Sequence, residues 1–400
     1  MMTAGERIPA LDAVRGIALF GILVVNAPFF FMPYGALGDY GSIAFSGWHN
    51  RFAEFITTWL FDGKFILIFS FLFGWGLHTQ MGRGDGFKAP YMRRLSGLFL
   101  IGLIHAIFLF VGDILVTYAV LGLPLYYMRN WSVPKLCKAA ALFWLLSIFT
   151  QGLLGFLFAN AAPIELARYA SLVALHQHGT FQNIFTQRIE DLMGLYIITP
   201  LLFMPEVMGM FLLGLAAAKT FASTGLDRTL PLAKTLLRFL WVPAFIGNGV
   251  YAYAASPLYS TLVQPTLELA LRGAVVPLLT LVYLCAAALL FNDPARARIA
   301  ALLGGEGRMS LSIYVGESAI MGLLALSYGF GLFGTISPSL LFALCIAVYA
   351  ALLLVSHLWL RTFRLGPMEW VLRSITYWRF ERLVRSYNQH LTGPPAQSDR

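Results

Sequence analysis

RRLSGLFLIGLIHAIFLFVGD, residues 93–113, is an apolar run of membrane-spanning length, with two arginines at its start, a histidine inside it and Gly112-Asp113 at its end. Arg94 and His105 stand eleven positions apart. At about 100° per residue that is three turns plus about 20°, so both side chains leave one helix face, about 16 Å apart along the axis. A histidine at this depth is costly unless it is paired or borders water, which makes His105 a candidate site residue. The plainer reading is a polar residue bonded to a neighbouring helix. A second apolar run follows Gly112-Asp113 at once, and spans joined by so little must be antiparallel neighbours. Asp113 then sits at the outer mouth. It orients His105, or it caps the next helix, and the two roles are compatible.

The rest of the chain agrees with a membrane setting. Of 400 residues, 58% are hydrophobic and 12% charged, and mean hydropathy is +0.73. A soluble protein carries about 25% charged residues. The apolar lengths predict an all-α helical bundle of about ten transmembrane helices, at roughly 13–31, 64–82, 94–112, 114–129, 134–160, 196–218, 237–256, 270–291, 309–330 and 339–361. The first run reads as a retained span rather than a cleaved leader. Residues 1–361 form one transmembrane domain and 362–400 a cytoplasmic tail ending in a disordered stretch.

The net charge of +9 lies in loops and tail, which argues against a nucleic-acid surface. With the N-terminus inside, the inner side collects Arg83, Lys88, Arg93, Arg94, Arg129, Lys135, Lys138, Lys219 and most later arginines. The outer side holds Arg51, Arg168, Arg188 and Arg272. Both termini are therefore expected in the cytoplasm. Cys137, Cys285 and Cys345 are too scattered for a disulfide framework or a metal site.

Several other residues are candidates. Asp12 and Arg15, spaced i,i+3, either form a snorkelling pair or present Arg15 to an anionic ligand; Asn26 lies on the same face as Arg15. Lys64 opens the second span beside Asp62, and Glu206 follows Pro205 mid-span. Glu317 is similarly deep and reads best as a helix-joining carboxyl. Together with Asn26, these three outline a polar substrate path. His357 reads as packing. In the outer segment 32–63, GWHNRFAEFITTWLFDGK sets Phe52, Phe55, Ile56, Trp59 and Leu60 at helical spacing opposite Arg51 and Glu54, which fits a short helix lying in the interface, broken by Gly63. Residues 161–195, with His176 and His178, read as a solvated outer loop, possible as a lid or acceptor platform; no partner cluster supports a metal. Gly304-Gly305-Glu306-Gly307-Arg308 lacks the lysine and strand of a nucleotide loop and reads as a flexible cytoplasmic loop. The segment 361–380 suits an amphipathic helix at the inner leaflet.

RIPALDAVRGIALFGILVVN (7–26), DGKFILIFSFLFGWG (62–76), RRLSGLFLIGLIHAIFLFVGDILVTYAVLG (93–122), GRMSLSIYVGES (307–318) and GPMEWVLRSITYWR (366–379) together resemble the YeiB family of bacterial inner-membrane proteins. The last two fall in the family's C-terminal signature region, roughly 230–385. The chain departs from the pattern at Glu317, where a glutamine is expected. The YeiB family in turn resembles the transmembrane acyltransferase superfamily, which includes the acyltransferase 3 proteins and the heparan-alpha-glucosaminide N-acetyltransferases. In the former, a basic residue, ten residues and then His mark the third span, as Arg94 and His105 do here.

That resemblance implies an acyl-CoA donor, acetyl-CoA foremost, bound from the cytoplasm, and a periplasmic acceptor that is a glycan, a lipid or a small molecule. Arg15, Arg93 and Arg94 would meet the CoA phosphates. His105 would act as general base, with Asp113 fixing its tautomer. Such a chain has membrane lipids as its solvent and needs no metal. The rivals are a transporter or flippase built on the same polar column, and a non-catalytic sensor or assembly protein. No inverted repeat supports the transporter.

Overall fold

The computed structural model describes residues 9–33, 45–82, 85–160, 165–256 and 264–384. Among them the chain is helical, with a single isolated bridge between Phe363 and Val384 and no strand. The helices are α1 (Pro9–Phe31), α2 (Trp48–Ile56), α3 (Lys64–Met81), α4 (Lys88–Phe108), α5 (Leu115–Met128), α6 (Val133–Phe158), α7 (Leu166–His178), α8 (Phe181–Leu202), α9 (Met204–Thr224), α10 (Leu226–Ala254), α11 (Pro265–Phe291), α12 (Ala297–Gly307), α13 (Ser310–Ala325), α14 (Pro338–Thr362) and α15 (Pro367–Tyr377). One turn of wide π-helix, Thr57–Phe61, and the left-handed Gly63 (φ 74°) join α2 to α3. Helices α6, α9, α11, α14 and α15 each carry proline at the first or second position, where its missing N–H costs nothing.

Eight helical stretches among the described residues are long and apolar enough to cross a membrane: α1, α2–α3 together, α4, α6, α9, α10, α11 and α14. The two remaining expected spans are shorter apolar helices. α5 has 14 residues and α13 has 16, about 21 and 24 Å, less than the roughly 30 Å of a bilayer core. α6 shows why the bundle suits lipid. Leu142, Leu145, Phe149 and Phe156 face outward, whereas Ser147 and Gln151 are fully buried. Such a surface in water would be a large apolar patch; in hydrocarbon it is covered. The chain is a multi-pass membrane protein.

Several sequence expectations change. The outer segment 161–195 is not a loop beyond residue 164: it folds as α7 and α8, a helical hairpin. Thr180 starts α8 by accepting a hydrogen bond from Asn183 N at 3.3 Å. The span expected at 196–218 is broken at Phe203, because Pro205 starts a new helix; Glu206 therefore lies in the first turn of α9 rather than mid-span. The Gly304–Gly307 run is helical within α12 and packs against Asp12–Gly16 of α1, so it is no flexible loop. The tail helix α15 is amphipathic as expected, but its apolar face meets protein: Leu372 and Ile375 seat against Gly97 of α4. The disordered end expected at TGPPAQSDR, 392–400, lies outside the described residues.

α3 and α9 run in backbone contact. A Cβ on Gly74 would lie 1.9 Å from Phe211 O, and one on Gly214 would lie 1.9 Å from Phe71 O. Both obstacles are backbone, so neither can swing aside; small residues let these helices touch, as is usual in membranes. Gly74→Val or Gly214→Val is expected to destabilise the bundle by more than the ~1–3 kcal/mol of an ordinary overpacked core. Thermal unfolding in detergent checks this, with Gly76→Ala, which meets nothing within 4 Å, as the neutral control.

Candidate active site

The α4–α5 hairpin is the base of the site. Tyr91 near the start of α4 donates to Gly122 O of α5 at 3.0 Å, confirming the antiparallel pair. Phe30 at the end of α1 stacks on Phe110 just beyond α4, with ring centroids 4.7 Å apart. α1 and α4 therefore finish at the same end, and their arginines, Arg15, Arg93 and Arg94, begin at the other. All three are partly buried; Arg15 also pairs with Asp12 at 2.6 Å.

His105 closes the last turn of α4, where its main-chain oxygen accepts from Leu109 N and Phe110 N, each at 2.8 Å. Its Nδ1 lies 2.8 Å from Asp113 Oδ2. The other carboxylate oxygen of Asp113 accepts from Val116 N at 2.9 Å, so one side chain both starts α5 and holds the histidine. Gly102 makes room for this, since a Cβ there would sit 2.8 Å from Asp113 Oδ1. On the far side of the ring, Nε2 lies 2.9 Å from Ser318 Oγ of α13. Asp113, His105 and Ser318 are 7%, 2% and 3% exposed.

This is an acid–imidazole–hydroxyl chain. The carboxylate can only accept, so Nδ1 carries the proton and Nε2 presents a lone pair to the serine. Chemically, the arrangement can take a proton from a hydroxyl and stabilise the imidazolium that results. Tyr314, one turn before Ser318, stands with its ring centroid 4.8 Å from that of His105. Its hydroxyl is buried against the Asp113–Ile114 segment and has no well-formed hydrogen bond.

Neighbouring elements hold the site. α8 crosses its outer end, with Arg188 donating to Phe108 O and Phe108 against Phe185. At the inner end Glu369 of α15 caps α13, accepting from Leu311 N at 2.6 Å, from Ser312 N at 3.2 Å and from the Ser312 hydroxyl. Ser312 Oγ accepts from Met368 N at 2.9 Å.

The other candidates go elsewhere. Lys64 and Glu206 join a separate buried network. Arg272, which is 4% exposed rather than an outer-side charge, meets Asp62 at 3.0 Å, Glu206 at 3.2 Å and Gln151 Oε1 at 3.0 Å. Gln151 also donates to Glu206, and Tyr251 donates to Asp62 at 3.1 Å. Lys64 does not snorkel: it is fully buried and donates to Thr58 O at 2.8 Å. No hydrogen bond or ion pair among the described residues links this network to His105. Glu317 adjoins Ser318 in sequence and is buried, but no hydrogen bond among the described residues joins it to His105 or Ser318. Glu306 of α12 is fully buried, and burial pushes its carboxyl up to about 8. Asn26 is partly buried near the end of α1. His357 lies beside Gly305. His176 stacks on Phe333 at 4.2 Å while His178 is exposed, so that pair does not converge. Among the described residues no three metal-binding side chains come together.

Residues 217–379 match the model of a family described as "Protein of unknown function (DUF418)". The match covers α13 and α15, hence Ser318 and Glu369, and leaves out His105 and Asp113. The whole chain is similar to the "Uncharacterized protein YxaH" of Bacillus subtilis (strain 168), with 33% identity over 407 residues, 95% of this chain and 96% of that one. It is also similar to the "Uncharacterized 39.9 kDa protein in amylase 3'region" of Bacillus acidopullulyticus, 28% identical over 382 residues, 93% of this chain and 94% of the relative. The "Uncharacterized protein YeiB" of Escherichia coli (strain K12) is 27% identical over 386 residues, 93% of this chain and 96% of its own. No solved structure matches. With relatives aligned from end to end, this multi-pass membrane chain belongs to the YeiB (DUF418) family.

Proposed function

We propose that the protein is an acyltransferase of the bacterial inner membrane that moves an acyl group from cytoplasmic acyl-CoA to an acceptor on the outer side. The observation that carries the reading is the buried Asp113–His105–Ser318 chain at one end of α4, with Arg93 and Arg94 at the other. A polyanionic donor stays on the side of the arginines, where guanidinium groups pair with phosphate. About 16 Å of helix separates those charges from His105, a distance that a long, thin acyl-carrying arm can cover while its charged end remains in water. His105 takes the proton of the attacking hydroxyl or amine and returns it to the departing sulfur. Asp113 keeps the proton on Nδ1 throughout and offsets the positive ring. Burial keeps water from intercepting the acyl group. The acceptor is a glycan, a lipid or a small molecule with a free hydroxyl or amine.

Calorimetric titration of the detergent-purified protein with CoA and acetyl-CoA tests the donor. Micromolar binding is expected, weakened about 10–100-fold in Arg94→Ala by loss of a charge-assisted contact. No heat with any acyl length, from protein that unfolds cooperatively, would sink the donor assignment; substrate flux into CoA-free vesicles would then favour a transporter.

A further inference from the structure

We propose that Ser318 is the group that carries the acyl chain, so that transfer passes through a Ser318 ester rather than directly from donor to acceptor. This rests on the acyltransferase reading for its donor, and on the local geometry for the serine.

A serine in an apolar helix ordinarily satisfies itself by donating to the carbonyl four residues back. Thr199, Thr220, Thr280 and Thr376 do so in this molecule at 2.9, 3.0, 2.9 and 2.7 Å. Ser318 has that carbonyl available, but Tyr314 O is 3.2 Å away while His105 Nε2 is 2.9 Å away. One hydroxyl has one proton. Because Asp113 fixes the imidazole proton on Nδ1, Nε2 must be an acceptor, and the serine is the donor it faces. Each member of the chain is in turn held: Asp113 by Val116 N, His105 by Asp113, and α13 by the Glu369 cap. A hydroxyl held against an oriented, acid-backed imidazole is the arrangement that makes a serine nucleophilic. The buried Tyr314 hydroxyl, one turn earlier on the same helix face, is a donor of the kind an oxyanion requires.

In the first half-reaction Ser318 Oγ bonds to the thioester carbonyl carbon and its proton passes to His105 Nε2. The carbon–sulfur bond breaks, and the proton goes to sulfur, so CoA leaves as the free thiol. In the second, the acceptor attacks the Ser318 ester and gives its proton to Nε2. The ester carbon–oxygen bond breaks, and the proton returns to Ser318 Oγ. Nothing is oxidised or reduced.

The experiment is rapid acid quench of the full-length protein after mixing with acetyl-CoA, followed by mass analysis of the Ser318 peptide. One acetyl group is expected on that peptide, formed with CoA release before acceptor is added. It should be absent in His105→Ala and in Ser318→Ala, and present as a thioester, labile to neutral hydroxylamine, in Ser318→Cys. CoA release in Ser318→Ala is expected to fall by about 10³–10⁶-fold with its unfolding temperature unchanged. If wild type turns over without the adduct and Ser318→Ala keeps its rate, the nucleophile assignment is overturned and the acyltransferase reading stands. If no acyl-CoA is turned over, that reading fails instead. A fluorophosphonate then decides the serine by itself: His105-dependent labelling at Ser318 upholds it, and no labelling overturns it.

Discussion

Replacing His105 by alanine is expected to lower CoA release from acyl-CoA by about 10²–10⁴-fold, the usual loss when a general base is removed. Alanine also strands the Asp113 carboxylate, which would keep only its bonds to the start of α5. A fall in activity could then reflect disorder of the α4–α5 turn. Asp113→Asn separates the two effects. The asparagine oxygen still accepts from Val116 N and caps α5, so the hairpin stays folded. Its amide group, however, donates toward Nδ1 and forces the imidazole proton onto Nε2, where it meets the Ser318 hydroxyl instead of receiving its proton. The variant should unfold at the wild-type temperature yet lose activity by about 10⁴-fold, the scale of a wrong-tautomer histidine. CoA release followed by a thiol reagent, beside thermal unfolding in the same detergent, reads both quantities. Asp113→Asn at wild-type activity would remove the carboxylate from the mechanism.

The second large effect is on stability. Arg272 is the buried cation shared by the partly exposed Asp62, at 3.0 Å, and the buried Glu206, at 3.2 Å. Removing one partner of such a set leaves uncompensated charge away from water, at a cost of about 3–5 kcal/mol. Arg272→Met is expected to lose that much, seen as a marked drop in unfolding temperature. Replacing these three ions by neutral residues of similar size, Arg272→Met with Asp62→Asn and Glu206→Gln, should recover part of it, because each then escapes its desolvation penalty while the buried Lys64 loses its counter-charges. CoA release per folded molecule should be unchanged in the triple variant. Loss of activity with stability restored would instead return Lys64 and Glu206 to a substrate path.

The two variants also show what a sequence can reveal. His105 and Asp113 are legible because their relation is local. They stand eight residues apart across one short connection, and helical periodicity places Arg94 on the face of His105. Ser318 is not legible. One serine among apolar residues is ordinary, its partner is 213 positions away, and the adjacent Glu317 is the more conspicuous residue. Arg272 is missed for a related reason: its position near a helix start mimics a loop charge, and only the packing of α3, α9 and α11 shows it enclosed. The ten apolar segments are visible from length and hydropathy. The break at Phe203 is harder, since proline in a membrane helix signals a kink as readily as a new start. α7 and α8 are hidden by their polarity, because helices resting on a bundle need no membrane-length apolar run.

The wide separation of His105 from Ser318 has a consequence for biogenesis. During synthesis at about 5–20 residues per second, roughly 10–40 s elapse between the emergence of the histidine and that of the serine. Through that interval the α4–α5 hairpin is already inserted with its imidazole facing a gap that only α13 fills. α13 in turn lacks its Glu369 cap until the last helix has left the ribosome. Any chain stopped short of residue 369 would therefore occupy the membrane with most of its spans and an unfinished centre. The Asp113–His105–Ser318 chain is thus completed late in synthesis, and its supporting cap later still.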